Sequence, residues 1–157
     1  MKALKYIGLV IILTIIGHLL ANTFMSLSIG LLNINGTTIN SFEMASQFRS
    51  TFYFALSMGS IPLLYLAVEQ ITKLKFQYQG LKTIGIILAS GILLWFIRII
   101  QLNRLLNMTS GITNELGLNS PLRFEILLFS QYLFIGFLIG AIISGIIFRY
   151  EKTSNSG

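Results

Sequence analysis

Apolar positions run almost unbroken through four stretches of the chain, 6–32, 51–71, 83–102 and 124–148. A helix needs ~20 mostly apolar residues to cross a bilayer, and each stretch supplies them. Extended to their polar flanks, they predict helices over 6–32, 48–72, 82–107 and 121–149. The expected fold class is all-α, an integral membrane four-helix bundle. Residues 1–149 form its single domain, followed by a disordered cytoplasmic tail at 150–157. Ser120-Pro121 suits the start of the fourth helix, since serine caps and proline fits the first turn. Pro62 is expected to kink the second.

Polar positions interrupt this pattern in an ordered way. In the first stretch Thr14, His18, Asn22 and Ser26 recur every four residues, and residues four apart share a helix face. Uncompensated polar groups are costly in hydrocarbon, so such a face is expected to turn inward. With a ~1.5 Å rise per residue, His18 lies ~18 Å and Asn22 ~24 Å from the inner boundary, and Arg98 of the third helix ~22 Å. Tyr53, Ser57, Ser130, Gln131 and Tyr132 fall in the same outer half. The inner half, with "LVII", "LLYLAV", "IGIILA" and "AIISGII", is almost purely apolar. His18, Asn22, Tyr53, Arg98 and Gln131 are therefore the expected ligand-binding polar layer. Arg49, Arg104, Arg123 and Glu125 form its expected rim.

Arg98 admits two readings. It snorkels to the outer headgroups with Trp95 as an interfacial anchor, or it faces inward toward Glu125, a phosphate or a carboxylate, which its planar fork would bind. Polar residues at Arg98, Gln101, Arg104 and Asn107 extend the third helix beyond the hydrocarbon as an amphipathic segment. Glu69, ahead of Lys73, reads as an ordinary helix-surface pair.

The basic residues set the orientation. With both termini inside, Lys2, Lys5, Lys73, Lys75, Lys82, Arg149 and Lys152 lie inside, and Arg49, Arg98, Arg104 and Arg123 lie outside. The bias favours N-in and C-in. Met1–Lys5 followed by an apolar run resembles a signal peptide. The run is longer than the usual ~7–15-residue core, and "HLLA" is a poor cleavage site, so the first helix is expected to be retained.

On the fourth helix Gly136, Gly140 and Ser144 recur every four residues, a small-xxx-small face that lets backbones approach closely. Packing within the bundle is the plain reading. A homodimer or a membrane protein partner on this face is the other.

Composition narrows the chemistry. The chain has 157 residues, 54% hydrophobic and 10% charged, with mean hydropathy +0.79; soluble domains carry roughly 25% charged residues. It has no cysteine and no aspartate, which excludes thiol catalysis, disulfides and cysteine-held metals. One histidine without companion ligands makes no metal site, and no carboxylate lies at its depth to complete a triad. No cofactor is expected. The net charge of +6 follows the helix flanks rather than a soluble basic face, so no nucleic acid is expected either. The richness in Ile, Asn and Lys suits an AT-rich bacterial genome.

Three functional expectations follow. The first is a small bacterial inner-membrane protein without a catalytic constellation, an accessory subunit or a binder of membrane lipids or an amphiphilic anion through the outer-half layer. The second is a small dimeric transporter or channel lined by His18, Asn22 and Glu69. The third, weaker, is a lipid- or quinone-modifying enzyme using Arg98, His18 and Tyr132.

Overall fold

A computed structural model describes residues 2–32, 39–40, 44–72, 77–116, 122–123 and 126–154, with side chains at 4–32, 47–72, 78–108 and 126–149. The elements in chain order are α1 (Lys2–Gly30), β1 (Ile39–Asn40), α2 (Met44–Thr72), α3 (Gln77–Leu116), β2 (Leu122–Arg123) and α4 (Phe129–Ser154). All four helices are long and apolar enough to cross a membrane, so the chain is a four-helix, multi-pass membrane protein. The two outer connections meet in a two-residue parallel pair, Ile39 opposite Leu122 and Asn40 opposite Arg123.

The helix ends depart from the sequence pattern in informative ways. α4 begins at Phe129, not at 121. Leu128 adopts φ 50°, a left-handed conformation that an L-residue cannot carry into a helix. Its carbonyl accepts the first helical bonds, from the N–H groups of Gln131 and Tyr132 at 3.1 Å each. Ser120, Pro121 and Glu125 lie outside the described residues. α3 runs from Gln77 to Leu116, carrying the amphipathic extension beyond the end at 107 that the polar period marked. At 40 residues it is ~60 Å long, about twice the ~30 Å hydrocarbon core. α4 also runs into the expected tail, through 150–154. α2 remains helical through Pro62.

α1 packs on α2, α2 on α4, and α4 on α3. α1 and α3 meet toward the outer end, the end at which α1 stops. There Leu32 joins Ile99, Leu102, Leu106, Leu127 and Phe129 in one buried cluster. A second cluster, deeper in the bundle, gathers Ala21, Phe54, Ile61, Val68, Ile87, Leu133, Phe137 and Ala141. Phe24 and Trp95 touch both.

Small residues set how closely the helices approach. A Cβ built on Gly136 would sit 2.5 Å from Gly91 Cα and 2.6 Å from the Ser90 carbonyl oxygen. One built on Gly140 would sit 2.8 Å from Ile87 Cα. Ser144, on the same face, is fully buried. At Gly136 and Gly140 this face packs on α3 of its own chain, the plain reading of the small-residue spacing. On the other side of the bundle, Gly17 lies against Ala55 and Met58, and Gly59 against Thr14.

These contacts predict a contrast between two glycines of one helix. Gly136→Ala forces backbone apart and is expected to lower stability by about 1–3 kcal/mol. Gly145 has nothing within 4 Å of a built Cβ, so Gly145→Ala is expected to stay neutral or gain up to about 1 kcal/mol from helix propensity. Unfolding by SDS in mixed micelles measures both. Equal effects would show that the Gly91–Gly136 approach does not hold α3 to α4.

Candidate functional site

The polar stripe of α1 does not turn into the bundle core. Thr14 is half-buried against Gly59 and donates to the Val10 carbonyl at 2.8 Å. His18, Asn22 and Ser26 are exposed along the seam where α1 meets α2. Two cavities lie end to end in this seam. The outer one, about 360 Å³, is lined by Asn22, Met25, Ser26 and Ile29 of α1 and by Gln47, Ser50 and Thr51 of α2. The deeper one, about 300 Å³, is lined by Ile15, His18 and Leu19 of α1 and by Phe48, Thr51, Phe52 and Ala55 of α2, and its surface is almost wholly apolar. Thr51 belongs to both. Because the helices run antiparallel, residues 22–29 stand opposite 47–51, and residues 15–19 opposite 48–55.

Sequence reasoning found Asn22, Ser26 and His18 but missed the α2 wall. The signal was present in "QFRST". Gln47, Ser50 and Thr51 stand three and four residues apart, which places them on one helix face. Ser50 also ties this wall to α4, its hydroxyl 3.2 Å from that of Ser130. Ser57, fully buried, donates to the Tyr53 carbonyl at 2.6 Å and approaches the Ser130 carbonyl at 3.3 Å.

Arg98 belongs to a different place. Its Nε donates to the Leu127 carbonyl at 3.2 Å and its Nη2 to the Ile126 carbonyl. Nη1 reaches Gln101 Oε1 at 3.4 Å, and the guanidinium lies 4.9 Å from the centre of the Tyr132 ring. Three of its five N–H groups are therefore engaged. These contacts give Arg98 a role within the chain beside the two that the sequence offered. It holds open the turn that precedes α4, giving partners to carbonyls that a left-handed Leu128 withholds from a helical ladder. Trp95 likewise is no headgroup anchor. Its indole N–H donates to Ser28 Oγ at 3.0 Å, and Ser28 donates to the Phe24 carbonyl at 2.7 Å. This relay joins α3 to α1. Asn103 reinforces it by donating to the Leu31 carbonyl at 3.2 Å, one of the carbonyls that a helix C-terminus leaves unpaired.

The single polar layer expected from depth is thus two separate groups. His18 and Asn22 line the seam; Arg98 and Tyr132 brace the approach to α4. Tyr53 and Gln131 are half-buried and line neither seam cavity. Of the expected rim, Arg49 and Arg104 are exposed. Arg123 is described only as backbone in β2, and Glu125 lies outside the described residues.

The inner end carries one polar contact that spacing did not reveal. Tyr6 Oη donates to Glu69 at 2.9 Å, and its ring stacks 6.2 Å from that of Tyr65. Glu69 is thereby a link between α1 and α2. Lys73, its expected partner, lies outside the described residues. No group of three or more His, Cys, Asp or Glu side chains gathers among the described residues.

The Arg98 bridge makes a specific prediction. Arg98→Ala is expected to destabilise the bundle by about 1–3 kcal/mol, the cost of stranding hydrogen-bonded carbonyls. Arg98→Lys is expected to recover less than half of that, because a point ammonium cannot reproduce the fork. Unfolding in mixed micelles reads both variants. Full rescue by lysine would reduce the role of Arg98 to its charge.

Family models, curated proteins and solved structures give no match to this chain, so its function is argued from the site alone.

Proposed function

We propose that this chain binds an amphiphile lengthwise in the α1–α2 seam, as a lipid-binding or accessory protein of the bacterial cytoplasmic membrane. The observation that carries the reading is the sequence of two neighbouring cavities that share Thr51, the outer one of mixed polarity and the deeper one almost wholly apolar. That order matches an amphiphile in a leaflet: head toward the interface, chain toward the midplane. His18, Asn22 and Ser26 are exposed toward the surroundings of the bundle, which in a membrane means lipid. A ligand would enter sideways from the bilayer.

Transport is less well supported. Tight contacts close the α1–α2 packing near the middle of the bundle, Gly17 on Ala55 and Gly59 on Thr14. Glu69 is held by Tyr6 and lines neither seam cavity. The lysine bias supports the N-in, C-in orientation and hence an outward-facing polar cavity.

Native mass spectrometry from mild detergent tests the reading with two variants. A retained lipid or other amphiphile is expected on the wild type. Occupancy is expected to fall about fivefold or more in Asn22→Leu, the loss of one ordinary hydrogen bond. It is expected to persist in Arg98→Ala, which lies off the seam. The opposite pattern would return the site to Arg98. The orientation is checked separately in this cysteine-free chain. A cysteine at Asn35 should react with an impermeant maleimide on intact cells, and one at Gln79 should react only after lysis.

A further inference from the structure

The chemistry of the seam says which amphiphile it suits. The polar side chains of the outer cavity are Asn22, Ser26, Gln47, Ser50 and Thr51. Every one is uncharged, and every one can both donate and accept a hydrogen bond. The charged oxygens of an anionic headgroup only accept hydrogen bonds and are best held by arginine, lysine or dense donors. Neither arginine nor lysine lines this cavity. Arg98, the cation the sequence placed at this depth, is committed to the carbonyls of Ile126 and Leu127. Arg49 neighbours Ser50 in sequence, but it is exposed and outside the lining.

Depth makes the same point. Asn22 lies ~24 Å up a ~30 Å core, which puts the cavity floor several ångströms below the interface. A charge drawn to that depth needs a counter-charge. A hydroxyl or an ester carbonyl needs only hydrogen bonds. Asn22 and Ser26 have no side-chain hydrogen bond among the described residues, so their donors and acceptors are available. The deeper cavity limits the tail. At roughly 30 Å³ for a water-sized group, its 300 Å³ takes about ten carbons of one acyl chain.

We infer that the seam takes an uncharged glycerolipid of the diacylglycerol or monoacylglycerol type. Hydroxyl and ester oxygens meet Asn22, Ser26, Ser50 and Thr51. One acyl chain runs past Leu19 and Phe52 toward Ile15, and a second chain, where there is one, stays in the bilayer. This rests on the seam being the binding site.

The test uses the full chain in phosphatidylcholine nanodiscs doped with photoreactive diacylglycerol or, separately, photoreactive phosphatidic acid carrying the same acyl chains. Diacylglycerol is expected to label α1 and α2 peptides around residues 15–29 and 47–55. Asn22→Leu and Thr51→Val are each expected to cut that labelling about fivefold while melting like the wild type, since both sites border lipid. Arg49→Gln is expected to leave it unchanged. Stronger labelling of the seam by phosphatidic acid, lost in Arg49→Gln, would overturn the neutral headgroup and keep the seam as the site. Labelling by either probe that spreads evenly over lipid-facing positions such as Ile142, and is indifferent to Asn22→Leu, would overturn the seam itself.

Discussion

A helix in hydrocarbon gains little by exchanging lipid contacts for contacts with another apolar helix, so association depends on close backbone approach and on hydrogen bonds. That constraint accounts for where this bundle is tight. α3 and α4 meet at Gly91, Gly136 and Gly140, where a side chain at Gly136 or Gly140 would meet α3 backbone and one at Gly91 would meet the Phe137 ring. α1 and α2 meet at Gly17 and Gly59. Hydrogen bonds between helices add further joins, among them Trp95 to Ser28, Asn103 to the Leu31 carbonyl, Tyr6 to Glu69, and Ser50 with Ser130. Polar residues that the sequence scatters through the spans mostly serve this purpose.

The same constraint isolates the polar residues that do not. Ser28, Ser57, Thr72 and Thr83 are buried and donate to carbonyls of their own helices. Asn22 and Ser26 are exposed on the seam instead. An amide facing lipid several ångströms below the interface costs stability unless something meets it. The deeper part of the same seam, with Leu19, Phe48 and Phe52, would lie in hydrocarbon without cost. A polar patch capping an apolar trough thus stands apart from the joins that hold the fold.

The four spans were legible in the sequence because hydropathy records them directly. The rotation of each helix was not. Periodicity placed Thr14, His18, Asn22 and Ser26 on one face, but an inward turn was assumed from the cost of exposed polarity. A shift of ~100° per residue separates a core face from a seam, and helices apolar all round give no contrast to fix it. Depth misled in a related way. Arg98 and Asn22 lie at similar heights, yet height says nothing about which neighbours a side chain meets. The start of α4 was misread for a longer-range reason. Ser120-Pro121 is a sound local signal, but the helix begins at Phe129 because Arg98, on another helix, bonds the carbonyls of Ile126 and Leu127.

That Arg98 bridge also bears on why a charge sits so deep. A guanidinium within a span requires several oxygen partners to offset its desolvation. Here backbone carbonyls supply two of them and Gln101 a third, with the Tyr132 ring beneath. The carbonyls are free to do so because Leu128 leaves the helical conformation, and Leu127 and Phe129, both fully buried, anchor the turn from either side. Each part requires the others. Without the turn the arginine lacks acceptors, and without the arginine the turn's carbonyls lack donors. With three N–H groups engaged the guanidinium has a structural role, whereas the outer cavity of the α1–α2 seam is lined by neutral amides and hydroxyls with neither arginine nor lysine among them.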